Sequence, residues 1–478
     1  MRSRLKIKDI LSYAIGSVGD STVYNFVMSY FSFFLTTVAG VSPAMAGTII
    51  SAAMIWDMVT DPIAGYLLDR SKNKNGKRRP WILKSLIPMG ASLVLMFLNV
   101  DLPQPQKNVY YLALVLVFWA SYTAFNIPYY SFGVVLTNVD SERVKLAAYR
   151  EVLGYVGIFF ASSVPTFIMG KLLDAGVGSE GAWAAAGVAV AVAAVVMIFM
   201  MWGCTGGKER PRGRAAAGKA VHKGFLRNMA GLLKMKPYRL VLLCGLFTNV
   251  GLTLFNSSLL YYVNYNMGLG KEQAAVMLTV MNVVSIVFVP FMVKAIEKFT
   301  KGKVFAVCMA FSGSVMILAG FVLPKSVEAG CVYVALSGIG TCAFWMCIFN
   351  FLYDVADYDE FRTGHMRDGM IVSVYSFLLK AGGAIAAALQ GFLLEKNGFD
   401  AALGVQDGGV LKVTGAMFTI LPGLCAVFAG GMIMLTPLKD EKMESLRQAL
   451  DEKRHGEEYS LEGFEDLVQG NEIIENGT

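Results

Sequence analysis

Charge is what this chain has least of. Of its 478 residues only 16% are Asp, Glu, Lys or Arg while 55% are hydrophobic, and the mean hydropathy is +0.53. Soluble domains are about a quarter charged, and a water-soluble fold of this length could not hide so much apolar side chain without splitting into several cores. Histidine is scarcer still: His222, His365 and His455 all lie outside the long apolar runs, which disfavours a histidine proton relay. No nucleotide-phosphate loop, metal-ligand cluster or nucleophile-base motif occurs, so neither a primary pump nor an enzyme is indicated and no cofactor is required. Cysteine comes as an odd seven without paired spacing, and Cys244, Cys308, Cys342, Cys347 and Cys425 sit inside apolar stretches; they read as small packing residues. The net charge of +7 is scattered through short gaps rather than gathered on one face, which argues against a nucleic-acid partner. Arg2, Arg4, Lys6 and Lys8 ahead of an apolar run imitate a signal peptide. That run continues from Ile10 to about Gly40 with no small-residue cleavage pattern, so it reads as a first spanning helix.

The polytopic membrane class remains. A spanning helix needs about 20 apolar residues, and the apolar runs place helices near 10–38, 45–68, 80–100, 108–137, 143–173 and 181–203, then near 237–265, 271–297, 303–324, 326–356, 369–396 and 410–437. The expected fold is an all-α membrane protein with twelve transmembrane helices in two six-helix halves. Lys and Arg sort sharply by loop: 33 fall at the N-terminus, in the alternate loops sharing its side and in the C-terminal tail, against six in the opposite loops. Cytoplasmic loops retain positive charge during insertion, so both termini of this multi-pass cell-membrane protein are expected in the cytoplasm. The longest basic gap, Gly206 to Lys236, reads as a flexible cytoplasmic linker between an N-terminal bundle (1–205) and a C-terminal bundle (237–437). The tail, 438–478, holds 12 acids against 5 bases, and Met443, Leu446 and Leu450 make a short apolar stripe in it. It reads as a surface helix with a disordered acidic end, or as a docking segment.

A weak internal repeat supports two halves. Gly65-Tyr-Leu-Leu-Asp69-Arg70 and Gly76-Lys77-Arg78-Arg79 follow the second helix, and Glu297-Lys298 and Gly302-Lys303 follow the eighth; Pro62 and Pro290 are 228 residues apart. Parallel halves with such basic loops resemble major facilitator transporters, whose substrate sits near the membrane midplane between halves.

A charge inside a spanning helix costs at least ~2.5 kcal/mol at its centre, so each one present demands a reason. Asp57 and Asp61 are one helical turn apart with Thr60 beside them. Two carboxylates on one helix face in low dielectric take up a proton or hold a cation between them. Carboxylate, hydroxyl, carboxylate therefore reads as a cation or proton site, with oxygen donors that suit sodium. Pairing with a base such as Lys380, the one basic residue of the eleventh span, is the structural alternative. At the repeat offset the acids map to Ser285 and Val289, so the second half lacks them. Asp20 and Tyr24, also four apart, supply a carboxylate and an aromatic face that suit a polyol, or a bond between helices. Thr123 and Asn126 share a face of the fourth span, where Thr123 could complete a cation shell and Asn126 could bond hydroxyls, or both could glue helices together. Arg150 and Glu151 follow in the fifth span. Asp357, Glu360 and Arg362, with Asp354 and Asp359, gather where the tenth span meets the cytoplasm. They read as a salt-bridge gate against the Asp69-Arg70 loop or as a solvated helix end.

In this order the segments Tyr13 to Asp20, Trp56-Asp57 with Asp61-Pro62, Gly76 to Trp81, Asn126-Ile127-Pro128-Tyr129, Asp140 with Glu142-Arg143, Asp357-Tyr358 with Glu360 to Gly364, and Lys380-Ala381-Gly382 resemble the glycoside-pentoside-hexuronide cation symporters of the major facilitator superfamily. The resemblance covers essentially the whole chain. It implies cation-coupled symport of a sugar, glycoside or hexuronide by alternating access. It also implies a sodium or proton site at Asp57, Thr60, Asp61 and Thr123, and a sugar site of Asp20, Asn126, Tyr130, Arg150, Trp345 and Lys380, to which the aromatic face of Tyr24 belongs on the residue reading. The expected partners are the sugar, the coupling cation and the bilayer. Asn126 stands where the melibiose permease has an acid, so galactoside recognition does not transfer. A lipid or drug transporter of the same fold with little cation coupling is the alternative.

Overall fold

The computed structural model describes residues 5–71, 76–137, 139–209, 224–269, 271–400, 403 and 405–469, among which all regular structure is helical. Amphipathic α1 (Ile7–Ala14) turns at Ile15 into α2 (Gly16–Phe33), which ends in a π-helical turn, Phe34–Val38. There follow α3 (Pro43–Arg70), α4 (Arg79–Met96), α5 (Gln104–Leu136), α6 (Asp140–Asp174), α7 (Ser179–Cys204) and a short α8 (Phe225–Leu233). After α9 (Lys236–Tyr261) comes a second π-helical turn, Tyr262–Asn266, then α10 (Lys271–Lys298), α11 (Lys301–Val322), α12 (Val327–Thr363) and α13 (Asp368–Lys396). The chain closes with α14 (Gly408–Phe418), α15 (Ile420–Met434), α16 (Asp440–His455) and α17 (Glu465–Gln469).

Among the described residues ten helices are long and apolar enough to cross a membrane. The two remaining expected spans are α2 with its π turn, diluted by Ser17, Asp20, Ser21, Thr22 and Asn25, and the 18-residue α4, which carries Arg79 and Lys84. Ile87, Phe159, Phe167 and Val322 are largely exposed, as hydrocarbon solvent permits and water does not. This is a multi-pass membrane protein.

The chain forms two compact units, Met1–Phe225 with His365–Val374, and Leu226–Gly364 with Tyr375–Thr478. In the first, α2 packs on α6 and α7, and α5 on α3 and α4. A Cβ on Gly157 would stand 2.5 Å from the Val18 carbonyl oxygen, so glycine there is what lets α2 and α6 approach. Phe26, Phe34, Phe97 and Trp183 build the aromatic centre of this core. In the second unit α11 packs on α15 and α12, α10 on α12, and Phe255, Tyr262, Tyr333 and Phe418 interlock.

The two π turns give the internal repeat a structural form. Ala39 N donates to Phe34 O (2.9 Å) and Met267 N to Tyr262 O (3.1 Å), and left-handed glycines follow at Gly40 (φ 68°) and Gly268 (φ 66°). Both pairs lie 228 residues apart, as Pro62 and Pro290 do.

Several expectations change. α12 runs to Thr363 rather than 356, so Asp354, Asp357, Asp359 and Glu360 are buried helix residues, not a solvated end. The last span breaks at Thr419 into α14 and α15. Within the expected linker, Glu209 is buried and Phe225–Leu233 is helical; Arg210, Arg212, Arg214, Lys219, His222 and Lys223 lie outside the described residues. The tail stripe of Met443, Leu446 and Leu450 is buried, because α16 docks on α12 through charge. Arg447 bonds Asp354 and Asp357 (3.0 Å to the latter), Arg454 bonds Glu360 (2.7 and 2.8 Å), and Lys301 bridges Asp354 (2.7 Å) and Asp440. Burial works against the Arg454 charge, but Glu360 outweighs it and holds the guanidinium above its usual range.

Candidate functional site

One helix of the first unit, α5, carries two polar clusters on neighbouring faces. Toward α3, the Thr123 hydroxyl lies 3.0 Å from Asp57 Oδ1 and 3.1 Å from Asp61 Oδ1. The turn-apart spacing of the acids brings both carboxylates to this one oxygen, and all three residues are buried. A hydroxyl has a single proton to give, so Thr123 serves one carboxylate as donor and faces the other with its lone pairs. Three hard oxygen donors thus converge, the chemistry that a small cation or a shared proton uses. Thr60 does not join them. Its hydroxyl donates to the Asp57 carbonyl in its own helix, 3.2 Å away, the usual outlet for a helical threonine; α5, not the neighbouring turn of α3, supplies the hydroxyl.

Toward α2, Asp20 is the hub. Tyr122 Oη donates to Oδ1 (2.9 Å), Asn126 Nδ2 to Oδ1 (3.1 Å) and Tyr130 Oη to Oδ2 (3.0 Å), while Asn126 Nδ2 also reaches Tyr122 Oη at 3.2 Å. Residues 122, 126 and 130 are spaced by four and so line one face of α5. Tyr122 was not among the sequence expectations, although its spacing to Asn126 was the available signal. Arg150 on α6 covers the Tyr130 ring, its guanidinium carbon 4.8 Å from the centroid, and accepts at its carbonyl from Ser17 Oγ (2.8 Å). Tyr24 packs against Tyr122 (5.9 Å) and edge-on to Trp119 (5.8 Å), extending an aromatic wall beside the carboxylate.

Trp345 on α12 and Lys380 on α13 belong to the second unit, both half-buried, Trp345 against Phe344 (5.0 Å). The repeat counterparts of the acids differ in kind: Ser285 Oγ lies 2.9 Å from Met281 O and 3.3 Å from Gly338 O, with one proton to give between them, a plain fastening of α10 to α12, and Val289 is apolar.

The expected gate residues are placed within their own units. Asp69 accepts from Gly369 N (3.0 Å) and Met370 N (2.9 Å), capping the first turn of α13, where the helix dipole favours an anion. Arg70 turns back to Tyr66 Oη (3.0 Å). Asp357 and Glu360 are engaged by the tail arginines, and Arg362 stands half-buried in the last turn of α12. Among the described residues no group of three His, Cys, Asp or Glu is placed to hold a metal ion.

This helical membrane bundle in two units, with buried carboxylates facing hydroxyls on a shared helix, has the major facilitator fold of transport proteins. The family of MFS/sugar transport proteins matches residues 12–440, and the chain belongs to it. It is 27% identical, over 95% of its length and 96% of the other, to the putative glycoside/cation symporter YagG of Escherichia coli. It is 26% identical to the isoprimeverose transporter of Lactiplantibacillus pentosus, over 94% and 92%. Its fold is that of the FucP transporter in the outward conformation, with a TM-score of 0.65 over 90% of this chain and 98% of that one at 14% identity.

Proposed function

We propose that this protein is a cation-coupled symporter that moves a sugar, glycoside or hexuronide across the cell membrane by alternating access, with both termini in the cytoplasm. The carrying observation is that adjacent residues of α5, Tyr122 and Thr123, reach Asp20 on one side and Asp57 and Asp61 on the other. A cation drawn to the acid pair sets the rotation and depth of α5 and with them the hydroxyl face presented to a polyol. Linkage makes the effect reciprocal. Asp57, Asp61 and Thr123 form the sodium or proton site; Asp20, Tyr122, Asn126, Tyr130 and Arg150 bind the sugar, with Tyr24 as its aromatic wall. No catalysis belongs to this reading. One charge moving through 100 mV supplies about 2.3 kcal/mol, enough to drive accumulation. The relatives' names as glycoside/cation symporter and isoprimeverose transporter support the sugar and the cation, and the density of hydrogen-bond donors around Asp20 favours a polyol over a lipid or drug.

The test is uptake of labelled glycosides and uronides into vesicles with and without an imposed sodium or proton gradient. Gradient-driven uptake that Asp57→Cys and Asp61→Cys both lose, and sugar binding that Asp20→Cys loses, is the expected outcome. Unchanged cation stimulation in both α3 variants refutes the site.

A further inference from the structure

Glu209 is the one acid between Glu180 and Glu272, and it stands at the start of a basic linker. After α7 the chain turns through Gly206 and Gly207 (φ 69°) and buries the Glu209 carboxylate against Gly76–Arg79 at the start of α4. Its Oε1 accepts from Lys77 N (2.9 Å) and Arg78 N (2.9 Å), and its Oε2 from Arg78 N (3.2 Å) and Arg79 N (3.1 Å). These are the unpaired amides at the start of α4, whose N-cap residue, Arg78, makes no side-chain cap; a carboxylate some 130 residues away in sequence caps the helix instead. The loop is shaped for it. Gly76 has φ 99°, and a Cβ there would lie 2.1 Å from Glu209 Oε2, so both backbone and space demand glycine. The neighbouring Arg79 Nη1 reaches Thr205 Oγ1 (2.9 Å), and its guanidinium lies over the Trp202 ring.

Arg78 carries the consequence. Its Nε donates to Ser131 Oγ (3.1 Å) on α5, its Nη1 to Glu209 Oε1 (3.2 Å) and its Nη2 to Asp368 at the start of α13. Burial weakens this guanidinium, but Asp368 and Glu209 more than offset it and raise it above its usual range. We infer that Glu209 is a positioning residue of the transport cycle: the first residues of the linker strap down Gly76–Arg79 and aim Arg78 at Asp368, and turnover requires this strap to release and re-form. The inference rests on the alternating-access reading above, and a bidentate, charge-assisted grip of this kind is the sort of contact whose loss changes a conformational rate.

The experiment uses full-length protein in liposomes, in a Cys204→Ser background because Cys204 is exposed. A cysteine in place of Ser131, fully buried beneath Arg78, reports loop release by its rate of alkylation. Glu209→Gln is expected to label about tenfold faster and to change the maximal uptake rate by about tenfold, with sugar KM and half-saturating cation within about twofold. Gly76→Ala, whose Cβ displaces the carboxylate, is expected to reproduce both effects, and it decides the matter if Glu209→Gln does not fold. Wild-type labelling and rate in the folded variant, or a raised KM at unchanged maximal rate, overturns the inference. The labelling arm needs no transport, so absence of gradient-driven uptake in the parent protein would sink the functional reading while still measuring the strap.

Discussion

Replacing Thr123 by valine keeps shape and volume and removes one hydroxyl. That hydroxyl is the oxygen lying 3.0 Å from Asp57 and 3.1 Å from Asp61, and it is buried. A hydrogen bond to a charged group contributes ~1.5–3 kcal/mol, so the half-saturating cation concentration should rise about 10- to 150-fold. Sugar affinity at saturating cation should stay within about twofold, because Tyr122, Asn126 and Tyr130 on the other face of α5 are untouched. Thr60→Val is the matched control: its hydroxyl is spent on the Asp57 carbonyl, and the cation requirement should move less than about twofold. The assay is initial uptake rate in proteoliposomes against cation concentration at fixed sugar, with binding calorimetry as a check. An unchanged cation curve for Thr123→Val, or an equal shift in both variants, refutes the three-oxygen site.

On the sugar side, Tyr122→Phe removes one of two donors to Asp20 Oδ1 and should raise sugar KM about tenfold without altering the cation curve; a normal KM would exclude Tyr122 from the binding face. In the tail, Arg447→Met strips a buried partner from Asp354 and Asp357. Lys301 still holds Asp354, so the loss should sit near the lower end of the ~3–5 kcal/mol for breaking a buried pair, and a thermal midpoint equal to wild type in detergent would refute the docking. At the N-terminus, the hydrogen bond and charge of Lys208 hold Asp9 below the ordinary aspartate range. A lowered carboxyl stabilises the fold above its unfolded pKa and loses that contribution as pH falls through its folded one. The gap in thermal midpoint between wild type and Asp9→Asn should therefore be flat from about pH 5 to 8 and close below about pH 4; a gap that opens on acidification would reverse the assignment.

The sequence made the membrane class and the two halves legible because hydrophobic runs and loop charge are averages over many residues. Partners are not averages. The spacing of Asp57, Thr60 and Asp61 implied a hydroxyl shared along α3, but a helical threonine finds its own carbonyl three residues back before it finds a neighbour. Thr123 on α5, which the sequence also offered as a cation ligand, is the hydroxyl that lies against both acids. In the tail the stripe of Met443, Leu446 and Leu450 was visible and its destination was not. Arg447 and Arg454 are two of the tail's five bases with no visible partner in the sequence, because α12 is longer than its apolar run and carries Asp357 and Glu360 into burial. Glu209 gave no sequence signal beyond its isolation, since a cap from so far along the chain depends on tertiary structure alone.

Why the two clusters share α5 follows from the same geometry. Residues 122 and 123 differ by about 100° around a helix, so one helix can face α2 with its tyrosine ladder and α3 with its threonine, and cannot turn toward one without turning from the other. Asp20 accepts three donors from α5, and on the proposed reading a polyol replaces at least one of them with its own hydroxyls. In the proposed cycle, a cation that neutralises the acid pair holds α5 in place while that exchange occurs. Coupling of this kind needs no long pathway: a rotation of a few degrees about one helix axis registers at both sites, and separating the two functions by mutation requires residues that, like Thr123 and Tyr122, each touch only one of them.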